Sequence, residues 1–208
     1  MVDICPKCGS FDWDKAVDGD KITCPKCGHS WNFLKLPLFI VTGASGVGKT
    51  TTVQALQAKS REFVCMDDDM LYNLLPHETA ADFLAETEQL QIFSRNIMQC
   101  GKPAVWARAG NIRLLAETYG ARFFSGIFVL ALVCPEQELR RRMTEGRSIA
   151  DPGWIQSSVD YNRYFMEHDR IGSVTFDRLD IGALSTAEAA LRVESWLKGK
   201  LHDLTINQ

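Results

Sequence analysis

The run Gly43-Ala44-Ser45-Gly46-Val47-Gly48-Lys49-Thr50 has the spacing GxxxxGK[ST], whose chemistry is the capture of phosphate. Phosphate oxygens need several converging N–H donors. A loop can curl around them only where glycine allows the dihedrals and the close approach, as at Gly43, Gly46 and Gly48. Lys49 can reach the terminal phosphates, the Thr50 hydroxyl is placed for Mg2+, and Thr51 leads into a helix whose free amides add favourable charge. The expected ligand of Gly43 to Thr51 is a magnesium-bound nucleoside triphosphate. A second constellation, Cys5-Pro6-Lys7-Cys8 and Cys24-Pro25-Lys26-Cys27, places two CxxC pairs fifteen residues apart, each followed by glycine. Four thiolates at that spacing form a closed tetrahedral zinc site, so Zn2+ is expected there in a structural role, with His29 superfluous. Two spaced pairs argue against redox chemistry. The odd total of seven cysteines and the lack of a secretory segment argue against a disulfide framework.

These groups need a scaffold. The first thirty-odd residues are rich in Cys, Gly, Asp and Trp without helical periodicity, and read as a zinc ribbon over 1–34. The main domain is expected over 35–208. Within it, strand-like runs at Leu38 to Val41, Phe63 to Met66, Ala104 to Ala107, Ile127 to Cys134 and Val174 to Leu179 alternate with helical patterns. The helices are expected at Thr50 to Lys59, Ala81 to Cys100, Asn111 to Tyr119, Pro135 to Thr144 and Trp154 to His168. A last helix opens on the capping box Ser185-Thr186-Ala187-Glu188 and runs to about Lys198. Alternating strand and helix imply an α/β fold with a parallel five-stranded sheet flanked by helices. The acidic cluster Asp67-Asp68-Asp69 falls at the carboxyl end of the second main-domain strand, where parallel sheets bind ligands.

From about Lys35 to Lys198 the chain resembles the small phosphate-loop kinases, a group that includes nucleoside, nucleotide, shikimate, gluconate and antibiotic kinases. The resemblance rests on the phosphate loop, on Asp67-Asp68-Asp69-Met70-Leu71, and on Leu139-Arg140-Arg141-Arg142-Met143-Thr144-Glu145-Gly146-Arg147. It implies a P-loop NTPase fold and ATP-dependent phosphoryl transfer to a small-molecule acceptor, a nucleoside or nucleotide first. Asp69 would then be the base that deprotonates the acceptor hydroxyl, with Asp67 the alternate, acting through magnesium. Arg142 and Arg147, with Arg141 a further candidate, would be lid arginines that neutralise the transferring phosphoryl group, in a lid near 143–153. The plainer readings are a solvated helix N-terminus for the aspartates and a solubilising face for the arginines. The spacing of Arg142 and Arg147 is one residue longer than the commonest family form.

The third main-domain strand ends in Arg108 where many phosphate-loop proteins have an aspartate. Magnesium would then depend on Thr50, the phosphates, waters and Asp67, which weakens a motor-type ATPase reading. Arg108 and Arg113 are open between an acceptor contact and a surface role. Trp154, Tyr161, Asn162 and Tyr164 are read as core and Arg163 as a site candidate. Asp180-Ile181-Gly182 falls where related kinases pack the nucleotide base, without a base-reading signature.

A net charge of −3 gives no general pull toward nucleic acid or an anionic membrane. No apolar run approaches the roughly eighteen residues needed to span a bilayer, so a cytoplasmic location and no membrane partner are expected. On the ribbon, Phe11, Trp13, Trp31 and Phe33 could stack on bases, but Lys7, Lys15, Lys21 and Lys26 are balanced by Asp3, Asp12, Asp14, Asp18 and Asp20. The expected role of the ribbon is docking or stabilisation, over the active site among other places. Two other functions stay open. One is a nucleic-acid-linked NTPase or polynucleotide kinase gripping its substrate through the ribbon. The other is a nucleotide-sensing module, favoured if Asp67 and Asp69 lie far from the phosphates.

Overall fold

A computed structural model of the chain describes residues 2–72 and 74–206. The N-terminal segment forms a small antiparallel sheet of β1 (Ala16–Asp18), β2 (Lys21–Thr23) and β3 (Ser30–Asn32), in that order. The glycine after each Cys pair, Gly9 and Gly28, takes a positive φ, and its N–H donates to the carbonyl of the first cysteine of the pair. These knuckle turns bring the four sulfurs together.

Next come β4 (Leu38–Thr42), α1 (Lys49–Lys59), β5 (Val64–Asp67), α2 (Asp69–Tyr72), α3 (Ala80–Ile97), β6 (Ala104–Ala107) and β7 (Ile127–Val133). They are followed by α4 (Glu136–Arg141), α5 (Pro152–Glu167), the hairpin of β8 (Arg170–Ile171) and β9 (Val174–Thr175), β10 (Asp177–Asp180) and α6 (Thr186–Ile206). The main sheet is five-stranded and parallel, in the order β10-β7-β4-β6-β5. Both faces are covered. Phe39 and Val41 of β4 pack with Leu56 of α1 and Val193 and Leu197 of α6, while Leu38 and Ile40 of the same strand pack with Leu90 of α3 and Phe165 of α5. Side chains that alternate between two buried faces account for the continuous apolar strands. Cys65 and Cys134 lie in this core, where burial pushes both thiols up to about 11, whereas Cys100 is exposed.

Three expectations are corrected. The helix expected at Asn111 to Tyr119 is two 3-10 turns, Ile112–Ala116 and Tyr119–Phe123. Side chains of α3 take the backbone groups a continuous helix would use: Gln91 Nε2 donates to Leu115 O at 3.0 Å, and Glu88 accepts from the N–H groups of Tyr119 and Gly120. The strand expected at Val174 to Leu179 divides, β9 folding back on β8 through Gly172 while β10 pairs with β7. Helix α6 does start after a capping box, with Ser185 N–H donating to Glu188 Oε2 at 2.9 Å, and it runs beyond Lys198 to Ile206.

The N-terminal segment with the four cysteines packs against the rest of the chain. Val2, Ile22 and Phe33 form an apolar cluster with Phe123. Asp3 pairs with Arg95 and Asn96 of α3, and Gln99 exchanges hydrogen bonds with the backbone of Leu34 at 2.9 and 3.1 Å. Among the described residues, no helix is long and apolar enough to cross a membrane.

Candidate active site

The carboxyl ends of the parallel strands open into a cleft of about 1130 Å³. Residues Ser45 to Thr52, Asp67 to Asp69, Ala109, Glu138, Arg141, Arg142, Arg147 and 181–186 line it. The loop after β4 needs its glycines. At Gly43, φ is +141°, and a Cβ would come within 2.4 Å of Leu132 O; at Gly46, φ is +82°, and a Cβ would strike Met143 at 2.6 Å. Gly43 and Ala44 are buried behind the cleft, while Ser45 to Thr51 face it.

Lys49 opens α1, with its ammonium donating to Ala44 O at 3.0 Å. Desolvation pulls it down to about 8 against the opposing pull of Asp68, Asp67 and Asp69, so the loop lysine and the acidic cluster share one field. The carboxylate oxygens of the three aspartates lie within 4.8 Å of one another and could hold a cation. Asp67 Oδ1 caps the next turn by accepting from Asp69 N–H at 3.1 Å, while its buried Oδ2 has no protein partner. Asp69 is exposed at the start of α2. These residues fit magnesium, for which Thr50 and Asp67 supply the kind of oxygen it takes.

The arginines divide by what they touch. Arg142 donates from Nη1 to Val47 O at 2.6 Å and from Nη2 to Ile181 O and Gly182 O at 3.1 and 3.2 Å, which clips the phosphate loop to the segment after β10. Arg141 and Arg142 together hold Glu138 down at about 2. Arg147 reaches across the loop mouth to Ser45 Oγ at 2.6 Å and lies 5.7 Å from the Trp154 ring centroid. Between the two arginines the chain makes a π-turn, Arg142–Gly146, closed by Arg147 N–H to Arg142 O at 3.1 Å. The closing bond has i→i+5 geometry.

A family model described as the AAA domain matches residues 40–151. The chain belongs to that family. The matched stretch of this AAA-domain protein carries the loop, the aspartates and the arginines, and ends on Asp151, the N-cap of α5. No curated protein matches. Among solved structures, a gluconokinase from Sinorhizobium meliloti 1021 is 19% identical with a TM-score of 0.60, covering 84% of this chain and 99% of its own. The Deinococcus radiodurans tunicamycin resistance protein is 16% identical with a TM-score of 0.55, over 79% of this chain and 96% of its own. A shikimate kinase from Acinetobacter baumannii, in complex with shikimate, is 15% identical with a TM-score of 0.51, over 79% and 94%. The fold is thus that of small P-loop kinases.

Arg108, open in sequence between an acceptor contact and the surface, is buried at 1% exposure. It donates to Thr87 Oγ1 at 2.9 Å and Gly110 O at 3.0 Å, and faces Asp68 at 3.9 Å and Glu86 at 3.8 Å. Burial pushes the Asp68 carboxyl up to about 7, against the pull of Arg108 and with the help of Glu86, Asp67 and Asp69. Sequence reasoning named Asp68 only within the acidic cluster, without a role, and passed over Glu86, Thr87 and His77. The available signal was Glu86 on the i, i+4, i+8 stripe that α3 buries with Leu90 and Ser94. Arg113 is exposed, and Arg163 pairs with Glu136 and Asp160 outside the cleft lining. Asn162 is core, bonded to the backbone of Cys134.

In the ribbon, Cys5 and Cys27 sulfurs stand 3.7 Å apart and Cys8 and Cys24 sulfurs 3.8 Å, with all four within 4.8 Å of one another. A tetrahedral metal with bonds of about 2.3 Å sets its sulfurs roughly 3.8 Å apart, so the cluster fits one. Among the described residues, none of 2–34 lines the cleft.

Proposed function

We propose that the protein is an ATP-dependent phosphotransferase acting on a hydroxyl of a small-molecule acceptor, in the nucleoside or nucleotide class, with a structural zinc in its ribbon. The observation that carries this is one cleft lined by the loop, by Lys49 and by the three aspartates. The gluconokinase and the shikimate kinase among the similar folds support the same reading.

Magnesium-bound ATP brings the phosphoryl group and neutralises part of its charge. Backbone amides of Ser45 to Thr51 hold the triphosphate, Lys49 bears on its terminal oxygens, and Thr50 with Asp67 takes the metal's side of the complex. Asp69, with Asp67 as alternate, accepts the proton of the acceptor hydroxyl. That oxygen bonds to the γ-phosphorus as the bond to the bridging oxygen breaks and ADP leaves. Arg147 bears on the transferring group from a lid over 143–153, while Arg142 holds the loop and the base-side segment in register.

Lys49→Ala should abolish transfer. Asp69→Asn should leave MgATP binding intact and remove turnover, as measured by calorimetry beside a coupled assay; normal turnover in Asp69→Asn with loss in Asp67→Asn would move the base to Asp67. The nucleic-acid reading is favoured by the ribbon alone, and salt-dependent binding of single strands would support it.

A further inference from the structure

Helix α5 and the β8–β9 hairpin frame a second hollow, of about 510 Å³, lined by Ser157, Asp160, Tyr161, Tyr164 and Ile171. None of these five residues lines the phosphate cleft. Spacings of three and four put Ser157, Asp160, Tyr161 and Tyr164 on one stripe of α5, and Ile171 of β8 closes the hollow. The helix buries a neighbouring stripe in the core through Ile155, Val159, Asn162 and Phe165, which holds the tyrosines in place. A hollow of this volume admits a small organic molecule.

The polar groups of the lining are all of one kind. Ser157 Oγ donates to Trp154 O at 2.9 Å, the Tyr164 hydroxyl donates to Arg170 O at 2.8 Å, and the Tyr161 hydroxyl is turned to Thr42. With those protons committed, the side chains offer a ligand lone pairs and the electron-rich faces of rings. Asp160 adds the one charge of the lining. Its Oδ1 accepts from Gln156 at 2.9 Å and from Arg163 at 3.3 Å, and its Oδ2 takes no bond among the described residues. The neighbouring cations are paired, Arg163 with Glu136 as well as Asp160, and Arg170 with Asp169. A carboxylate oxygen and two tyrosine rings without a free donor repel an anion and suit an ammonium group on an apolar body.

We propose that this hollow is a second binding site, for a small organic amine in its ammonium form, held by Asp160 and by the rings of Tyr161 and Tyr164. The site goes beyond the phosphotransferase reading and stands or falls without it.

The test uses the full chain with three probes of similar size: phenethylammonium, phenethyl alcohol and phenylacetate. Calorimetry should give phenethylammonium an affinity at least about tenfold above that of the alcohol, with no binding of phenylacetate. Its amide shifts should fall between Ser157 and Tyr164 and at Ile171. Asp160→Asn, at an exposed position, should lower ammonium affinity severalfold with MgATP affinity unchanged. Arg163→Ala, which removes the competing cation, should raise it. Equal affinities for ammonium and alcohol, an unmoved affinity in Asp160→Asn, or a fall in Arg163→Ala would overturn the proposal. So would shifts confined to Asp67, Asp68 and Asp69, or the absence of ammonium binding at millimolar concentration. Each of these outcomes leaves the phosphotransferase reading standing.

Discussion

Lys49 and Asp68 are displaced in the directions that burial dictates for a cation and an acid, and each displacement makes a pH prediction. Lys49 is charged below about 8 and loses its proton above it, so the free protein's affinity for MgATP should fall as pH rises through 8. Calorimetric titration between pH 7 and about 9 would show this, and Lys49→Ala should abolish the dependence. For Asp68 the folded value, about 7, lies above the ordinary 3.8, so the folded state retains a proton that the unfolded chain has released. Stability should therefore decline as pH rises between those values and level off above them, and Asp68→Asn should flatten that part of the denaturation profile. Arg108→Met strands two buried carboxyl groups and should cost about 3 kcal/mol in urea unfolding.

At the level of elements, two pieces of chain place these residues. The π-turn sets the angle at which Arg147 crosses to Ser45. Deleting Glu145 should restore ordinary helical phase and swing Arg147 away, lowering kcat while MgATP affinity, measured separately, holds. Helix α3 starts in a capping box in which the Thr79 side chain accepts from Asp82 N–H and Asp82 accepts in return. It carries Glu86 and Thr87 near that end and Arg95 and Asn96 near the other. The box was not read from sequence because Asp82 stands where the usual pattern has Glu or Gln. Strands β4, β6 and β7 were legible because each is a short apolar run largely buried on both faces, whereas the edge strand β10, Asp-Arg-Leu-Asp and mostly exposed, was not. The 110s were not, because Glu88 and Gln91 compete for their backbone from another helix.

Across the whole molecule, α3 joins the N-terminal segment, through Arg95 and Asp3, to the buried Arg108, through Glu86. At about 1.5 Å per residue its eighteen residues span roughly 27 Å. The ribbon holds its carboxyl end through the Asp3 pair with Arg95, and it meets the 3-10 turn Tyr119–Phe123 through Phe33 and Phe123, whose ring centroids are 6.0 Å apart. Chelating the zinc proposed for the cysteine cluster should lower the melting temperature of the full chain and loosen amide exchange in the last two turns of α3, ahead of any change in the phosphate loop. Asp3→Asn should lower stability by a similar route, with the metal content, measured by mass spectrometry, unchanged.

The sequence alone determined the phosphate loop, the cysteine knuckles and the alternation of strand and helix. Each is a local pattern: glycines that a curled backbone requires, thiols at a fixed spacing, and a period set by the side-chain geometry of one element. Only the tertiary structure decided that Asp68 lines the cleft while facing the buried Arg108, that Arg142 clips two loops while Arg147 crosses one, and that the N-terminal segment seats away from the cleft. Those outcomes depend on which distant side chains share a low-dielectric space, and the free energy of a buried charge is fixed by such neighbours rather than by its position along the chain.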